Sequence, residues 1–433
     1  MKTKKFNFQF RSARGQALPL FALALVGLFA FTALAIDGGS ILAERRQAQN
    51  VADNAAMSGA LLLAEVSVDE INSTHISEAA TFSLNRAAAN DYDNDGVTNE
   101  VLVGVTGPFT NNGIYFLYTV EITSEVGTTF VHMAFDGPLR QTVTATARVR
   151  PRQTLAHGYA MYGASDNECK TMWFSGGPTV EINGGGIFSN SDADSSSCHS
   201  AVQGGSGTVT VVGGENEAVG DFIYDEGHIS PAPTGGAEQQ SLPPLPTPDC
   251  SGLTSQATPS KSGDTISPGI YSEIALNSGV LHLQPGMYCI TGSKGFKATG
   301  GQVVGSGIMI YMQDGGFDLG GNTYVDISAS ANLKDASDNQ WAGMLLYMDD
   351  SNSNQVVISG GTNSTYTGTV YAAAPASPSS KSKCILTGGG DNLSLDSSAV
   401  ICYSMEVTGD FYLNLTYDDS KLYQLPPILD ITE

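Results

Sequence analysis

Basic residues are scarce over most of this sequence. From residue 153 to residue 433 there are eight lysines and no arginine, against 29 aspartates and glutamates, and the whole 433-residue chain has a formal net charge of −23. Nucleic acids and anionic lipids are bound through lysine and arginine, so this balance argues against both as partners of that region. It predicts an acidic, soluble surface that faces the medium.

Cysteine is missing from the first 168 residues. The six cysteines (Cys169, Cys198, Cys250, Cys289, Cys384 and Cys402) follow, without any C-x-x-C spacing. That excludes a thioredoxin-type redox motif and the usual zinc ribbon. An even count confined to one part of the chain predicts disulfides in an oxidising compartment. Of the fifteen connectivities that six cysteines allow, we predict pairing in sequence order, 169–198, 250–289 and 384–402.

Charge is missing from residues 17–36 (ALPLFALALVGLFAFTALAI). Twenty apolar residues in helical form match the thickness of a bilayer's hydrocarbon core. Lysines and arginines precede this run and acidic residues follow it, at Lys2, Lys4, Lys5, Arg11, Arg14, Asp37 and Glu44. The positive-inside rule predicts a cytoplasmic basic tail over residues 1–16, a transmembrane helix over residues 17–36, and the bulk of the chain outside the cell membrane.

A cleaved signal peptide is the alternative, with Ala33 and Ala35 as small residues at the cleavage site. However, the apolar run exceeds the roughly 7–15 residues of a signal h-region, and residues 40–65 continue with strong helix formers and no proline. One long helix, half in the membrane and half projecting from it, is therefore the favoured interpretation. Its second half carries a narrow stripe of mostly small residues suited to close packing against other helices, at Ala48, Val51, Ala52, Ala55, Ala56 and Met57.

This N-terminal pattern resembles the TadE/TadG-like proteins of the Flp (tight adherence) pilus system. The matching elements, in order, are Arg14-Gly15-Gln16, the apolar helix, Ile36-Asp37-Gly38-Gly39, Arg45-Arg46, and the run from Gln49-Asn50 to Ala56. The resemblance implies a pilin-like or minor-pilin-like component of an envelope-spanning assembly. It departs at Leu20, where prepilin peptidase substrates carry glutamate, which argues against cleavage between Gly15 and Gln16 and against an ordinary pilin subunit.

Two further regions follow the apolar helix. Residues 37–152 are predicted to be an α+β, pilin-like part, with a short helix over residues 77–90 capped by Ser77. A small antiparallel sheet is predicted to follow, with strands over residues 101–105, 113–122, 128–135 and 141–149. Residues 153–433 are rich in Gly, Ser, Asn and Thr with short apolar strands, which favours an all-β, right-handed β-helix, or solenoid. A β-sandwich is the alternative. Residues 231–260 are too rich in proline for regular structure and are predicted to be an exposed loop or linker.

The TadG-like resemblance extends into this second region, although its motifs there are less specific. They are the Gly-Gly-Ile-x-Ser-Asn-Ser element of residues 185–191, a Pro-Leu-Pro segment, the Gly-Thr-Val-Tyr-Ala strand of residues 368–372, and Pro426-Pro427 near the end of the chain. Similar elements occur in the β-helical regions of some TadG-like proteins. The resemblance thus implies a β-helical C-terminal region.

An acidic segment, DYDNDGVTNE over residues 91–100, is a candidate Ca²⁺ loop. Oxygen ligands at positions 1, 3 and 5, glycine at 6 and oxygen at 9 match the start of such a loop, and Leu102 at position 12 excludes a complete EF-hand. The candidate ligands are Asp91, Asp93, Asp95, Asn99 and Glu100. The alternative is a solvated acidic turn that joins a helix to the sheet.

The sequence shows no catalytic constellation. Uronate lyases need basic residues to neutralise their substrate, and residues 153–433 have few. Glycoside hydrolysis needs two carboxylates that converge on one bond. The adjacent pairs Asp349-Asp350 and Asp418-Asp419 do not suit this role, because neighbouring residues of a strand point to opposite faces and both pairs lie beside turns. We therefore expect a non-enzymatic, disulfide-bonded surface protein for pilus assembly or cell adhesion. Its expected partners are the membrane, other pilin-like envelope proteins and a surface glycan. A β-helical carbohydrate-active enzyme on the same anchor and a polymer-forming envelope scaffold are the alternatives.

Overall fold

The structure is a computed structural model that describes residues 17–68, 71–109, 114–131, 138–330, 340–359, 361, 363–375 and 382–432. These residues include two α-helices and thirty β-strands, numbered here along the chain. The chain divides into two compact units, Met1–Arg152 with Pro427–Glu433, and Gln153–Pro426. The predicted basic tail, residues 1–16, lies outside the described residues.

A single long helix, α1 (Ala17–Ala64), opens the first unit. Its 48 residues correspond to about 70 Å at the usual rise per residue. Within the described part of the chain, it is the one helix long and apolar enough to cross a membrane, and none of its apolar window is buried. The prediction that helical structure continues past Asp37 is confirmed.

The second helix, α2 (Ser73–Ala88), starts earlier than predicted. Its cap is Asn72, whose Oδ1 accepts hydrogen bonds from the backbone amides of Thr74 (2.9 Å) and His75 (3.3 Å). The prediction of Ser77 as the cap was therefore wrong. Asn and Ser are about equally good N-caps, so residue type alone does not choose between them.

The sheet of the first unit is antiparallel and four-stranded, in the order β1-β2-β3-β30. Its strands are β1 (Asn99–Phe109), β2 (Tyr115–Val126), β3 (Leu139–Arg150) and β30 (Ile428–Thr432). Of the strand predicted over residues 128–135, the described residues 128–131 are not in a strand.

The fourth strand instead comes from the end of the chain, because β30 pairs with β3 and Arg148 forms an ion pair with Asp430 (2.7 Å). This corrects the predicted second region, 153–433, because residues 427–433 belong to the first unit.

Most strands of the second unit lie in two runs separated by the proline-rich segment. The earlier run comprises β4 (Gln153–Thr154), β5 (Tyr159–Gly163), β6 (Met172–Gly176), β7 (Thr179–Asn183), β8 (Gly186–Ser189), β9 (Asp194–Ser195), β10 (Cys198–His199), β11 (Ala201–Gln203), β12 (Thr208–Val212), β13 (Asn216–Ala218), β14 (Phe222–Ile223) and β15 (Ile229–Ser230). The later run comprises β16 (Asp264–Ile266), β17 (Gly269–Tyr271), β18 (Ile274–Leu276), β19 (Val280–Leu283), β20 (Gly286–Ile290), β21 (Phe296–Ser306), β22 (Ile308–Met312), β23 (Phe317–Ser328), β24 (Met344–Met348), β25 (Val356–Ile358), β26 (Ser364–Ala372), β27 (Cys384–Cys402), β28 (Met405–Thr416) and β29 (Gln424–Leu425).

Among the described residues, 22 of these strands form one sheet, whose pairings are parallel. The pairings trace three columns. Column 1 is β17-β20-β22-β24-β26-β27-β5-β8-β13. Column 2 is β18-β21-β23-β25-β27-β28-β6-β11-β14. Column 3 is β16-β19-β21-β23-β26-β27-β28-β7-β12-β15. Parallel pairing throughout this sheet does not fit the antiparallel β-sandwich alternative.

Order within the columns differs from order along the chain. The chain enters the sheet at β5, inside column 1 rather than at either end of it. The later run ends on the earlier one, where β28 pairs with β6 and β7. The entry and exit of the unit are joined by antiparallel pairing of β4 with β29. One apolar core, which includes Ile182, Phe296, Phe317 and Leu413, is shared by strands of both runs.

The proline-rich segment, residues 231–260, contains no α-helix and none of the numbered strands, as predicted, but it is not a free linker. Leu242, Leu245 and Leu253 pack against side chains of column 1 strands, among them Tyr347 and Tyr371. Backbone groups of Gln240 are also fixed, by the hydroxyl of Tyr162 (3.2 Å) and the side chain of Asn190 (2.7 Å). Proline suits such an extended, attached segment because it loses little entropy on being held.

Candidate functional site

The two halves of α1 present different surfaces. Large apolar side chains of the first half are exposed, including Leu18, Leu20, Phe21, Leu23, Val26, Leu28, Phe29, Phe31 and Leu34. Because exposed apolar surface on this scale is unusual in a water-soluble domain, the first half is the candidate membrane segment.

The small-residue stripe of the second half is buried inside the unit. Ala48, Val51, Ala52, Ala55 and Ala56 share a core with side chains of the antiparallel sheet and of α2. This corrects the prediction that the stripe packs against other pilin-like helices, because its partners are in the same chain. The alternation that marks β2 and β3 was visible in the sequence, but which surface would cover the helix was not.

Gly59 lies where α1 approaches α2 and the sheet most closely. A Cβ atom at this position would lie 2.2 Å from Oγ of Ser83 and 2.3 Å from the hydroxyl oxygen of Tyr118. Those two hydroxyls share a hydrogen bond of 2.8 Å, and the Ser83 hydroxyl also lies 2.8 Å from the carbonyl oxygen of Ala55, to which it donates. The glycine is therefore required by the packing of the helix.

Asp37, immediately after the apolar run, is buried, with 2 % of its surface exposed. Its carboxylate accepts three backbone hydrogen bonds, from the amides of Thr129 (2.7 Å), Phe130 (2.9 Å) and Val131 (2.6 Å). Three amide donors compensate the cost of burying a carboxylate. The sequence analysis used Asp37 as a charge after the apolar run and as part of the Ile36-Asp37-Gly38-Gly39 motif, and it did not predict this contact.

The acidic segment forms a hydrogen-bonded turn between α2 and β1. Asp95 accepts hydrogen bonds from the amides of Val97 (2.8 Å), Thr98 (2.7 Å) and Asn99 (3.1 Å). These bonds, with that of Asn99 the strongest cause, lower the pKa of Asp95 to about 2.

The other candidate ligands of this segment are arranged as follows. Asn99 is buried and joins the amide of Asn94 (2.7 Å) to the carboxylate of Asp93 (3.1 Å), whereas Asp91 and Glu100 are exposed. Across the described residues, no group of three His, Cys, Asp or Glu side chains is placed to hold a metal ion. These hydrogen bonds are those of a solvated acidic turn that is stable without a metal ion. Binding of Ca²⁺ by this segment stays a prediction.

All six cysteines are paired in the structure, Cys169–Cys198, Cys250–Cys289 and Cys384–Cys402. This is the predicted sequential connectivity. Cys250 belongs to the proline-rich segment and Cys289 to column 1, so this bond holds the segment against the column. Cys169–Cys198 joins the loop between β5 and β6 to β10, and Cys384–Cys402 joins the two ends of β27.

A polar groove lies on the outer face of column 3. It has a volume of about 210 Å³ and is lined by Asn363, Thr365, Asn392, Leu393, Ser394, Tyr412 and Asn414. Register explains the cluster, because Thr365 pairs with Ser394 and Ser394 with Asn414 on successive strands. Side chains in such a row are about 4.8 Å apart. No lysine, arginine or carboxylate lines it, although Tyr412 donates to the neighbouring carboxylate of Glu181.

Sequence analysis missed this groove. Polar residues do alternate with apolar ones in the three segments concerned, at 363–366, 392–395 and 412–415. However, the sequence spacing between these segments is irregular, so the register that aligns them could not be read from the sequence.

The two carboxylate pairs serve local turns. Asp349 accepts hydrogen bonds from the amide (2.9 Å) and hydroxyl (2.5 Å) of Ser351. Asp418 caps a short 3₁₀ turn, accepting from the amide of Ser420 (3.1 Å), and forms an ion pair with Lys421 (3.2 Å). These contacts give the first carboxylate of each pair a structural role.

Comparison with known families gave one match, over residues 15–62, to the Tad family, described as "Putative Flp pilus-assembly TadE/G-like". Comparisons with curated proteins and with solved structures found no significant match. The matched residues contain the apolar run, Asp37, the paired arginines and the whole small-residue stripe. Residues 15–62 of this chain therefore form a TadE/G-like module, as the motifs of the sequence predicted.

Proposed function

We propose that this protein is a membrane-anchored component of a Flp/Tad pilus-assembly or surface-adhesion system, and that it acts by position and contact without catalysis. The observation that carries the proposal is the continuity of α1. One helix offers an exposed apolar half to lipid and buries one face of its other half in a folded unit. The TadE/G-like match covers both parts.

The proposed orientation places residues 1–16 in the cytoplasm, residues 17–36 in the membrane, and the rest of the chain outside. It rests on the lysines and arginines that precede the apolar run and the acidic residues that follow it. The three disulfides also support a position outside the cytoplasm for the second unit, because disulfides persist in oxidising compartments.

The second unit is proposed to be a right-handed β-helix displayed on this anchor. Support comes from the three columns of parallel pairings that share one core. Parallel crossover connections are almost always right-handed. A rigid stack of this kind would present an extended binding surface.

The assembly role is tested by photocrosslinking in intact cells. A photoreactive residue at Leu23 or Leu28, both exposed on the first half of α1, should form adducts with other membrane proteins of the pilus system. The matched control is Leu63, which is buried in the unit and should give intramolecular products. Recovery of this chain alone would favour the envelope-scaffold alternative, and recovery of no membrane protein would contradict the proposal.

A glycan is proposed as the adhesive partner, and the groove on column 3 supports it. Hydroxyl and amide groups from Thr365, Ser394 and Asn414 offer donors and acceptors in a row, and Tyr412 adds an aromatic ring. Without a cationic side chain, the groove suits neutral sugars better than uronates.

The glycan proposal is tested with the full-length protein in nanodiscs and a panel of neutral and acidic polysaccharides. We expect Asn414→Ala and Tyr412→Ala to weaken binding of a neutral polymer about tenfold each, the equivalent of one lost polar contact. Thr210→Ala, on column 3 but outside the groove, should leave affinity unchanged. Polymer cleavage that Asp349→Asn abolishes would instead establish the enzyme alternative.

A further inference from the structure

The loop that follows β2 is held directly beside the apolar half of α1. Its residues 128–131 are Thr-Thr-Phe-Val, and the Asp37 carboxylate binds the amides of the last three at 2.6–2.9 Å. The contact joins positions more than ninety residues apart in the chain, so it is a tertiary restraint rather than a local turn.

The depth of this contact follows from the helix. Twenty apolar residues end at Ile36, and in helical form they span about 30 Å, the thickness of the hydrocarbon core. Asp37 is the next residue, so its carboxylate lies at the inner edge of the interfacial layer, which is about 5–7 Å thick on each side of the core. Backbone amides within 3 Å of that carboxylate lie in the same layer.

The side chains at this depth are apolar. Phe130 and Val131 are both partly exposed, and residues 126–131 (VGTTFV) carry no charge. Phenylalanine is one of the residues by which interfacial segments enter the boundary between headgroups and acyl chains. Three backbone amides of the loop, those of Thr129, Phe130 and Val131, already donate to the Asp37 carboxylate, which lowers the cost of moving them out of water.

We propose that residues 128–131 are a second membrane contact, in which Phe130 and Val131 insert into the interfacial layer of a lipid bilayer. Asp37 is the positioning residue, because it fixes the loop at that depth. A helix alone leaves the attached unit free to rotate about the bilayer normal and to tilt. A second contact beside the helix restricts both motions, and therefore sets how the unit faces its neighbours. This inference rests on the proposed insertion of α1.

Site-specific fluorescence quenching tests the proposal in the full-length protein. All six cysteines are in disulfides, so single variants Phe130→Cys, Leu28→Cys and Phe82→Cys can each be labelled with one fluorophore. The protein is reconstituted in phosphatidylcholine vesicles that carry a spin label near the headgroup or deep in the acyl chain. Phe82 is the matched control. Its neighbour Ser83 bonds to Ala55, which places it about 27 Å further along α1 than Asp37.

We expect strong quenching of the label at 130 by the shallow spin label, several-fold more than at 82, and quenching at 28 by the deep one. Asp37→Asn should reduce the quenching at 130 toward that at 82 and leave position 28 unchanged. Quenching at 28 with none at 130 overturns the membrane contact but not the anchor. Absence of quenching at both overturns the anchor and the contact together. Unchanged quenching at 130 in Asp37→Asn overturns the positioning role of Asp37.

Discussion

The two compact units bury their apolar side chains in different ways. In the first unit, alanines dominate the buried face of α1, at Ala48, Ala52, Ala55, Ala56, Ala60 and Ala64, and the helix lies close to a sheet. In the second unit, larger side chains such as Ile182, Leu395, Val407 and Leu413 fill the space between columns of parallel strands. The first core depends on close approach, and the second on stacking and on three disulfides. The two units should therefore respond to different perturbations.

Intrinsic tryptophan fluorescence allows the unfolding of the second unit to be followed separately from that of the first. Both tryptophans, Trp173 and Trp341, are in the second unit, so intrinsic tryptophan fluorescence reports on that unit alone. Hydrogen exchange of the amides of β2 and of the second half of α1 reports on the first unit. The following predictions use these two signals.

Reduction of the disulfides should have the largest effect, and only on the second unit. The bonds close loops of 29, 39 and 18 residues, and the chain-entropy model gives each about 3–4 kcal/mol. We expect the tryptophan unfolding midpoint to fall sharply in reductant, while exchange in β2 stays constant. Equal loss of protection in β2 would show that the two units do not respond separately.

Gly59→Ala should have the next largest effect, and only on the first unit. The added methyl group would overlap the Ser83–Tyr118 pair, and we expect a loss of about 3 kcal/mol, measured by hydrogen exchange in β2. Gly27→Ala is the control, since nothing lies within 4 Å of a Cβ there. A Gly59→Ala protein as stable as the Gly27→Ala protein would contradict the close-approach account.

Lys383 gives the second unit a distinctive pH dependence. It is fully buried, its Nζ donates to the carbonyl oxygen of Asn352, and burial lowers its pKa to about 8. In the unfolded chain Lys383 has its usual pKa of 10.5. Above pH 8 the unfolded state therefore binds more protons than the folded state, so the free energy of unfolding should rise with pH.

The measurable window is pH 8 to 9, because buried tyrosines such as Tyr347 and Tyr371 have raised pKa values and reverse the trend near pH 10. In this window the tryptophan midpoint should rise by the equivalent of about 1 kcal/mol. Lys383→Met should remove the rise and stabilise the unit at pH 7 by about 1–2 kcal/mol. If the midpoint still rises with pH in the Lys383→Met protein, a group other than Lys383 causes the rise.

Asp95 should have the smallest effect, confined to the first unit, because the residue is exposed. Its folded pKa of about 2 is below its ordinary value of 3.8, so its stabilising contribution is present above pH 3.8 and is lost as the pH falls toward 2. Asp95→Asn should flatten that part of the pH profile, measured by exchange of the Val97–Asn99 amides.

The Ca²⁺ prediction is tested on the same turn. Calorimetric titration with Ca²⁺ should give heat that Asp93→Asn abolishes if the segment is a calcium site. Titration without heat would leave the segment a hydrogen-bonded turn.

Much of this architecture could be read from the sequence. The uncharged run at 17–36, the helix formers that follow it and the motifs around Asp37 predicted α1 and the TadE/G-like module. The cysteine pairing was also predicted. Alternation in β1, β2 and β3 gave the sheet, because a half-exposed antiparallel strand has a regular period.

Contacts between distant residues could not be read in this way. The pairing of β30 with β3, the return of β28 to β6 and β7, and the loop held by Asp37 each join segments far apart in the chain. No local pattern encodes them. Residues of the column 3 groove share this limit, because the sequence spacing between the strands that bring Thr365, Ser394 and Asn414 together is irregular.

The mature N-terminus tests the central claim most directly. Mass spectrometry of the protein recovered from cells measures whether residues 17–36 are retained. The account predicts a membrane-bound chain that still contains them, with the large side chains from Leu18 to Ile36 in lipid. A chain recovered from the culture fluid and beginning near Asp37 would contradict it.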